Sequence, residues 1–285
     1  MKQKEKIMKY STEVDEKTGL LRIRAEKDLG LIKEGELGGM IECLENLSQD
    51  GLSWVYEDAV VYGAAQVYGD AQVHGVARVH GTAQVFGAAR IYGAARVYGD
   101  VRVHGDVRIY GDARIFGAAR VYGDAWVSGG AQVCGDAQVY RAAQVYGDAW
   151  VYGAALVHGD AVVHGDVRIY GAARVYGDAR VSGDAQVHGD VRVHGDAWVY
   201  GDARVHGEAR VSGDAQFTPK VLTGFPFTVT FMDNHIEVGC QFNTYEVWQE
   251  RGVDIIKADG YTTKQAKEWH EIIMLVATQH KKDVQ

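Results

Sequence analysis

The sequence predicts an all-β solenoid, because one six-residue pattern repeats through most of the chain. From Val55 to Gln216 the pattern is V-x-G-x-A-x, and no insertion or deletion interrupts it. Every sixth position from Val55 to Val211 is Val or Ile, which makes 27 hexads. Of the 36 glycines, 25 follow this period, and the chain has only two prolines. A period this short indicates stacked coils rather than a globular core.

Each hexad predicts a short strand followed by a corner. Ala179 and Val181 are two apart, so on a strand both side chains point to the same face, towards the interior. The Gly-Asp or Gly-Ala dipeptide that follows predicts the corner, since glycine adopts positive φ without strain. Three strands and three corners give a triangular coil of 18 residues, and 27 hexads give about nine coils. Residues 18 apart are therefore expected to stack about 4.8 Å apart.

The open ends of the solenoid require caps, because an unpaired coil edge exposes backbone hydrogen-bonding groups. We predict an N-terminal cap in residues 1–54, the solenoid in 55–216, and a small α+β C-terminal cap in 217–285. The N-terminal cap is expected to contain a strand around Leu20–Ile23.

The C-terminal cap is predicted to contain a β-hairpin and one or two helices. The hairpin consists of FTVTF (227–231) and HIEV (235–238) around a turn at 232–234. A short helix over 244–249 is expected to stop at Gly252. Thr262 and Gln265 fit a capping box that begins a second helix, in which Ala266, Trp269, Ile273 and Val276 or Ala277 recur at helical spacing.

The hexads resemble the hexapeptide repeat of left-handed parallel β-helix proteins. In addition, the segment GELGGMIECLENLSQDGLSWVYEDA, the VYGDA-type hexads and the tail HIEVGCQF are similar to a group of phage and prophage hexapeptide-repeat proteins. The first resemblance implies a left-handed coil. The second covers nearly the whole chain and implies a viral or prophage origin. It implies no agreed chemistry. From the residues alone a right-handed coil remains the alternative.

Composition limits the classes of partner. The net charge of −8 argues against duplex nucleic acid and anionic membranes, and no run of eighteen apolar residues occurs. Three widely spaced cysteines do not predict a disulfide framework. We therefore expect a reducing cytoplasm, and the resemblance to phage proteins implies that of a bacterial host.

The repeat histidines are interpreted as structural rather than catalytic. Eight of them occupy the position after the inward aliphatic, where tyrosine stands in thirteen other hexads. Exchange between His and Tyr favours a stacking role over a general base. His188 and His206 are expected to stack on adjacent coils, but a pair without a third ligand makes an incomplete zinc site. We predict no catalytic residue, no metal and no cofactor.

Arginine dominates the outward position before the aliphatic in two stretches of the repeat. The 18-residue period predicts two columns of arginines flanked by aromatic rings, which suit an anionic or nucleotide-like ligand through charge-assisted hydrogen bonds and stacking. The predicted ligand-binding residues are Arg78, Arg96 and Arg114 with His80 and Tyr98, and Arg174, Arg192 and Arg210 with Tyr176 and His194. Aspartates at the corners are the alternative partners of these arginines.

Between the two arginine stretches, the outward positions are apolar or neutral. Trp126, Trp150, Leu156 and Val162 stand there, so this band is predicted to contact a protein partner or a second copy of the chain in a homo-oligomer.

These patterns favour a non-catalytic phage or prophage β-solenoid that acts as a binding or interaction scaffold. One expected form is a counter-defence protein that binds a host protein or sequesters a nucleotide-like anion. The alternative is a hexapeptide-repeat acyltransferase with its active site between subunits. Against this alternative, the repeat contains no loop that could cover a substrate.

Overall fold

A computed structural model describes residues 8–201, 203–207, 209–212, 220–222, 226–227, 229–231, 235–239 and 241–284. The chain divides into two compact units, residues 1–160 and 161–285. Each unit contains parallel coils of the hexad repeat, and the fold class is an all-β parallel solenoid of about nine turns, as predicted. The handedness of the coil stays a prediction.

The repeat strands of the first unit form three faces, and the strands within each face are parallel. Face 1 contains Val60–Val61, Arg78–Gly81, Arg96–Gly99, Arg114–Gly117, Gln132–Val133 and Trp150–Val151. Face 2 contains Gln66–Val67, Gln84–Gly87, Arg102–Gly105, Arg120–Gly123, Gln138–Arg141 and Leu156–Gly159. Face 3 contains Trp54–Val55, Gln72–Val73, Arg90–Ile91, Arg108–Ile109, Trp126–Val127 and Gln144–Gly147. Residues that pair across strands are 18 apart, as in Val79, Val97 and Ile115, which confirms the predicted coil length.

The interior of the first unit is the predicted stack of aliphatic and small side chains. Each inward residue from Val55 to Val157 has an exposed fraction of 0%. Burying one such valine stabilises the fold by about 1.5 to 3 kcal/mol, so the interior supplies most of the driving force. The corner glycines have positive φ angles, and two corners carry other residues in the same region, Glu57 (φ 54°) and Arg141 (φ 62°).

An antiparallel sheet and one asparagine close the N-terminal end. The strands Tyr10–Val14, Leu21–Ala25 and Leu37–Ile41 form this sheet, and the third pairs in parallel with Val60–Val61 of face 1. A 3₁₀ helix, Leu44–Asn46, follows. The Asn46 amide donates to the carbonyls of Gly63 (2.9 Å) and Ala65 (2.8 Å), so these edge acceptors of the first coil are satisfied. The strand expected around Leu20–Ile23 is confirmed.

The second unit begins with the same repeat. Its strands are Val162–Gly165, Arg168–Gly171, Arg174–Val175, Arg180–Val181, Gln186–Gly189, Arg192–Val193, Trp198–Val199, Arg204–Val205 and Arg210–Val211. They pair in parallel 18 residues apart, as in Arg180 with Trp198.

The C-terminal part of this unit is a four-stranded antiparallel sheet followed by two helices. The strands are Lys220–Leu222, Val229–Phe231, His235–Val238 and Gln241–Thr244, and the helices are α1 (Tyr245–Ala258) and α2 (Thr263–Val284). The predicted hairpin is confirmed by the pairing of the second and third strands. Its turn at 232–234 lies outside the described residues. Among the residues described, neither helix is long and apolar enough to cross a membrane.

The first helix does not stop at Gly252, so that prediction is wrong. Helix α1 continues six residues further, to Ala258, because Gly252 is buried where the imidazole of His270 packs against it. A Cβ at this position would lie 2.4 Å from the His270 ring, so the glycine permits close packing of two helices rather than ending one. The predicted capping box is confirmed: the backbone N–H of Gln265 donates to the Thr262 hydroxyl at 3.3 Å, and the backbone N–H of Thr262 donates to the Gln265 side-chain oxygen at 3.1 Å. Ala266, Ile273 and Ala277 face the core as expected.

Candidate functional site

Both predicted arginine columns exist in register. In the first unit, Arg96 pairs with Arg78 on one side and Arg114 on the other, and all three side chains are exposed. His80 and Tyr98 stand two residues further along the same strands, on the same outer surface.

The second column lies in the second unit. There Arg192 pairs with Arg174 and Arg210, and the rings of Tyr176 and His194 stack with centroids 5.0 Å apart. Glu237 of the C-terminal sheet is close to this column and is buried. Burial raises the pKa of its carboxyl to about 7, although the backbone amide and the charge of Arg210 oppose the rise.

The charge of the surrounding sequence separates the two columns. Residues 76–123, here called the basic belt, contain seven arginines and three aspartates, a net charge of +4. Residues 166–212, which surround the second column, contain six arginines and seven acidic residues, a net charge of −1. An anion is therefore attracted more strongly to the basic belt than to residues 166–212.

The arginines of the basic belt have no carboxylate partner in the part of the chain that the structure describes. Among the described residues, ion pairs join Arg22 to Asp58, Arg24 to Glu13, Lys33 to Asp28 and Lys264 to Glu268. None involves an arginine of the belt, although corner aspartates such as Asp100 and Asp106 are close in sequence. The guanidinium groups are available to a ligand.

The aromatic side chains that follow the inward aliphatics form continuous ladders, as the exchange of His with Tyr predicts. On face 2, six rings are stacked from coil to coil with centroids 4.7 to 5.1 Å apart and planes within 14° of parallel: Tyr68, Phe86, His104, Tyr122, Tyr140 and His158. On face 1, Tyr62, His80, Tyr98 and Phe116 stack similarly, with centroids 4.6 to 5.2 Å apart. These contacts stabilise neighbouring coils against one another.

This stacking changes what the ladders can offer a ligand. Each inner ring has both faces covered by its neighbours. The centroids of stacked rings are about 5 Å apart, which leaves no room for a further ring between them, because insertion needs a separation of roughly twice the thickness of an aromatic ring. A ligand therefore meets ring edges, which carry the Tyr hydroxyls and imidazole nitrogens. Burial in the ladder, followed by the charge of Arg78, lowers the pKa of His80, so this edge is neutral at pH 7.

A cleft of about 320 Å³ opens on face 2, inside the basic belt. It is lined by Phe86, Arg102, His104, Arg120, Tyr122 and Gln138. Arg102 and Arg120 pair directly on adjacent strands, and His104 and Tyr122 stand beside them with ring centroids 5.1 Å apart. The Tyr122 hydroxyl donates to the side-chain oxygen of Gln138 at 3.3 Å. Burial and the neighbouring Tyr140 raise the pKa of Tyr122, with Arg120 opposing, so its hydroxyl stays protonated.

The predicted ligand-binding residues do not include Arg102 and Arg120. The sequence signal for them is present: arginine occupies the outward position in six successive hexads from Arg90 to Arg120, and these belong to all three faces. Choosing among the faces requires the shape of the surface, which the period of the repeat does not give.

The four residues of the predicted apolar band are not brought together on one face. Trp150 lies on face 1, Leu156 on face 2 and Trp126 on face 3, whereas Val162 belongs to the second unit. Trp126 is 42% exposed and Trp150 is 38% exposed, and Leu156 and Val162 are half-buried.

The structure gives both tryptophans an intramolecular role. They lie where the ladder position is occupied by a small residue, Ser128 on face 3 and Cys134 on face 1. Trp126 leans over Tyr110, with centroids 5.7 Å apart, and the Trp150 indole donates to the Cys134 sulfur at 3.4 Å. Each indole thus covers a gap in a ladder.

Among the described residues, no group of three or more His, Cys, Asp or Glu side chains is placed to hold a metal ion. His188 and His206 stack as predicted, with centroids 5.4 Å apart. Burial, and then the charge of His206, lowers the pKa of His188.

The fold and the unbroken hexads define a hexapeptide-repeat β-solenoid, and comparison with a family model agrees. The model described as the YdcK beta-solenoid repeat matches residues 89–105, 107–123, 119–135, 143–159 and 173–189, under a third of the chain. The matches include the strands of Arg102 and Arg120. No curated protein matches the chain.

Two solved structures are similar over most of the chain but at low scores. LpxA from Acinetobacter baumannii is 12% identical, with 71% of this chain and 76% of that chain covered and a TM-score of 0.27. A Bacillus cereus protein described as a "putative acetyltransferase" is 9% identical, with 78% and 84% covered and a TM-score of 0.16. Similarities at this level carry no argument about the chemistry of this protein.

Proposed function

We propose that this protein is a non-catalytic binding scaffold whose basic belt holds an anionic partner. The observation that carries the proposal is the set of seven belt arginines, all outward on a rigid repeat and none paired with a carboxylate among the described residues. Guanidinium groups bind carboxylates and phosphates through paired hydrogen bonds.

The solenoid supports this role by fixing where the charges stand. The strands of the belt are held by coil-to-coil backbone hydrogen bonds, such as Arg102 N to Ala119 O at 3.1 Å. The arginines are therefore presented at a constant interval before a ligand arrives, and little backbone entropy is lost on binding.

The alternative of an acyltransferase has less support. Such a site needs a covered space from which water is excluded. In the first unit the repeat strands follow one another every six residues from Trp54–Val55 onwards, and no covering loop interrupts them. The cleft on face 2 is lined by the exposed arginines Arg102 and Arg120, which suits reversible binding better than group transfer.

Narrower expectations from the sequence stay predictions. These are a phage or prophage origin, work in the cytoplasm of a bacterial host and a counter-defence role. They also include contact of Trp126, Trp150, Leu156 and Val162 with a protein partner or with a second copy of the chain.

Native mass spectrometry of the protein purified from bacterial cells tests the proposed function. At low ionic strength we expect a bound anion as an added mass, which is lost in 0.5 M salt because exposed charge pairs are screened. The matched control replaces the six arginines of residues 166–212 with glutamine, and it is expected to keep the added mass. A bare protein that also fails to bind tripolyphosphate in titration would contradict the proposal.

A further inference from the structure

We propose that the cleft on face 2 is a site for a small phosphorylated, hydroxyl-rich metabolite such as a sugar phosphate. The inference rests on the proposed function and assigns it a position and a ligand class. The phosphate is held by Arg102 and Arg120, and the hydroxylated part of the ligand meets the edges of His104 and Tyr122 and the amide of Gln138.

The two arginines form a cradle for one phosphate group. They pair on neighbouring strands and stand on the same side of the sheet, and both are exposed. Parallel strands are about 4.8 Å apart, so two guanidinium groups can converge on the oxygens of one phosphoryl group. Glutamines occupy the same outward position on the strands before and after, at Gln84 and Gln138. In the first unit, the arginines at this outward position of face 2 are thus confined to two adjacent coils.

The rest of the cleft is suited to hydroxyl groups rather than to an aromatic base. The faces of His104 and Tyr122 are covered within the ladder, whereas their polar edges border the cleft. The Tyr122 hydroxyl and the Gln138 carbonyl oxygen already bond to each other, which leaves the amide nitrogen of Gln138 as a donor for a ligand. A nucleobase would find no ring face to stack on.

The size of the cleft agrees with a small ligand. Its volume of about 320 Å³ is at the lower end of the range for small-molecule sites, roughly 300 to 1,000 Å³.

Isothermal titration calorimetry with three probes tests the inference: inorganic phosphate, ribose 5-phosphate and AMP. We expect ribose 5-phosphate to bind at least tenfold more tightly than inorganic phosphate. AMP is expected to bind no more tightly than ribose 5-phosphate, because the base gains no stacking contact. AMP binding tenfold more tightly than ribose 5-phosphate would overturn the edge-on geometry.

Paired variants locate the site. Arg102→Gln with Arg120→Gln is expected to weaken ribose 5-phosphate binding at least tenfold. The control, Arg168→Gln with Arg204→Gln, removes the same charge from exposed positions outside the basic belt and is expected to change binding less than twofold. Tyr122→Phe, which keeps the ladder, is expected to weaken ribose 5-phosphate more than inorganic phosphate. Equal losses in both arginine pairs would overturn the assigned cleft. Binding of tripolyphosphate without any binding of ribose 5-phosphate would also overturn the ligand class alone. Failure of tripolyphosphate itself would instead contradict the proposed function.

Discussion

The basic belt and the segment that follows it, residues 124–160, have the same interior and opposite exteriors. Each inward Val, Ile or Ala in both is fully buried, and the strands of both pair 18 residues apart. The belt has a net charge of +4, whereas the tryptophan segment (residues 124–160) has one arginine and four aspartates, a net charge of −3. Since the coil continues unchanged through both, the same inward pattern is compatible with either set of charged and neutral outward residues. The fold depends mainly on the inward positions and the aromatic ladders, and the proposed function depends on the outward arginines.

The largest loss of stability is predicted for a substitution at one of the glycine corners of face 2. Gly105 in the belt has a φ of 92°, and a Cβ there would lie 2.6 Å from the carbonyl oxygen of Gly123. Gly105→Ala therefore combines a backbone conformation that L-residues avoid with a steric overlap, and we expect it to lower the free energy of unfolding by about 3 kcal/mol. Urea unfolding measures this. Asp106→Ala, one residue along the same corner, is the control and should cost under about 0.5 kcal/mol. A cost below about 1 kcal/mol for Gly105→Ala would show that the corner is not rigid.

The N-terminal cap is predicted to make the free energy of unfolding depend on pH in the alkaline range. Lys9 is buried and donates to the carbonyl and hydroxyl of Ser53, and burial lowers its pKa to about 8. Between pH 8 and 10 the folded protein loses this proton before the unfolded chain does, so the free energy of unfolding should rise by on the order of 2 kcal/mol. Above pH 10 the effect reverses, because burial raises the pKa of Tyr10 to about 12 and the unfolded tyrosine ionises first.

The measurement for this prediction is urea unfolding at pH 7.5 and 9.5, with Lys9→Met as the control. The variant keeps the buried stem without the amine, so its free energy of unfolding should not rise over this interval. A rise of equal size in the variant would assign the pH dependence to another group.

Matched core substitutions test directly whether the two interiors are equivalent. Val103 in the belt and Val139 in the tryptophan segment both lie on face 2 and are fully buried. Changing either to Ala should cost about 2 kcal/mol, from two lost methyl groups and the cavity they leave. Thermal or urea unfolding of the two variants compares them. A difference greater than about 1 kcal/mol would mean that the exteriors do affect the core.

The smallest predicted effect lies at the corner that lacks glycine. Arg141 holds a φ of 62°, which is within the left-handed region but strained for a residue with a Cβ. Arg141→Gly should raise the free energy of unfolding by about 0.5 to 1 kcal/mol, since relief of strain exceeds the added freedom of the unfolded chain. Arg141→Ala keeps the Cβ and should give no gain. Equal stabilisation by both variants would point to the arginine side chain and away from the backbone.

The sequence predicts the repeat well because each hexad has the same pattern of inward and outward residues. The alternation of Ala and Val fixes the inward face, and the 18-residue period fixes which arginines stack, as in Arg78, Arg96 and Arg114. The capping box at Thr262 is equally local. All of these depend on residues a few positions apart or on one constant period.

Features that depend on tertiary contact could not be predicted in this way. Gly252 lies inside α1 because His270, eighteen residues later, packs on it. Whether the ring faces are accessible to a ligand depends on the orientation that the rings take in the ladder. The assignment of Arg102 and Arg120 to a binding site depends on the shape of face 2. The intramolecular contacts of the two tryptophans depend on Ser128 and Cys134, whose small side chains leave gaps in the ladders beside the indoles.

The most direct test of the account removes the exterior of the belt and keeps its interior. In this variant all seven belt arginines are replaced by glutamine, which retains most of each side-chain stem. Circular dichroism and ribose 5-phosphate titration are then measured on the same sample. If the buried residues determine the fold and the outward arginines bind the anion, the variant has an unchanged β-sheet spectrum and a melting temperature within a few degrees of the original. Its binding of ribose 5-phosphate is then weakened at least tenfold. An unfolded variant, or a folded one that binds as tightly as before, would contradict it.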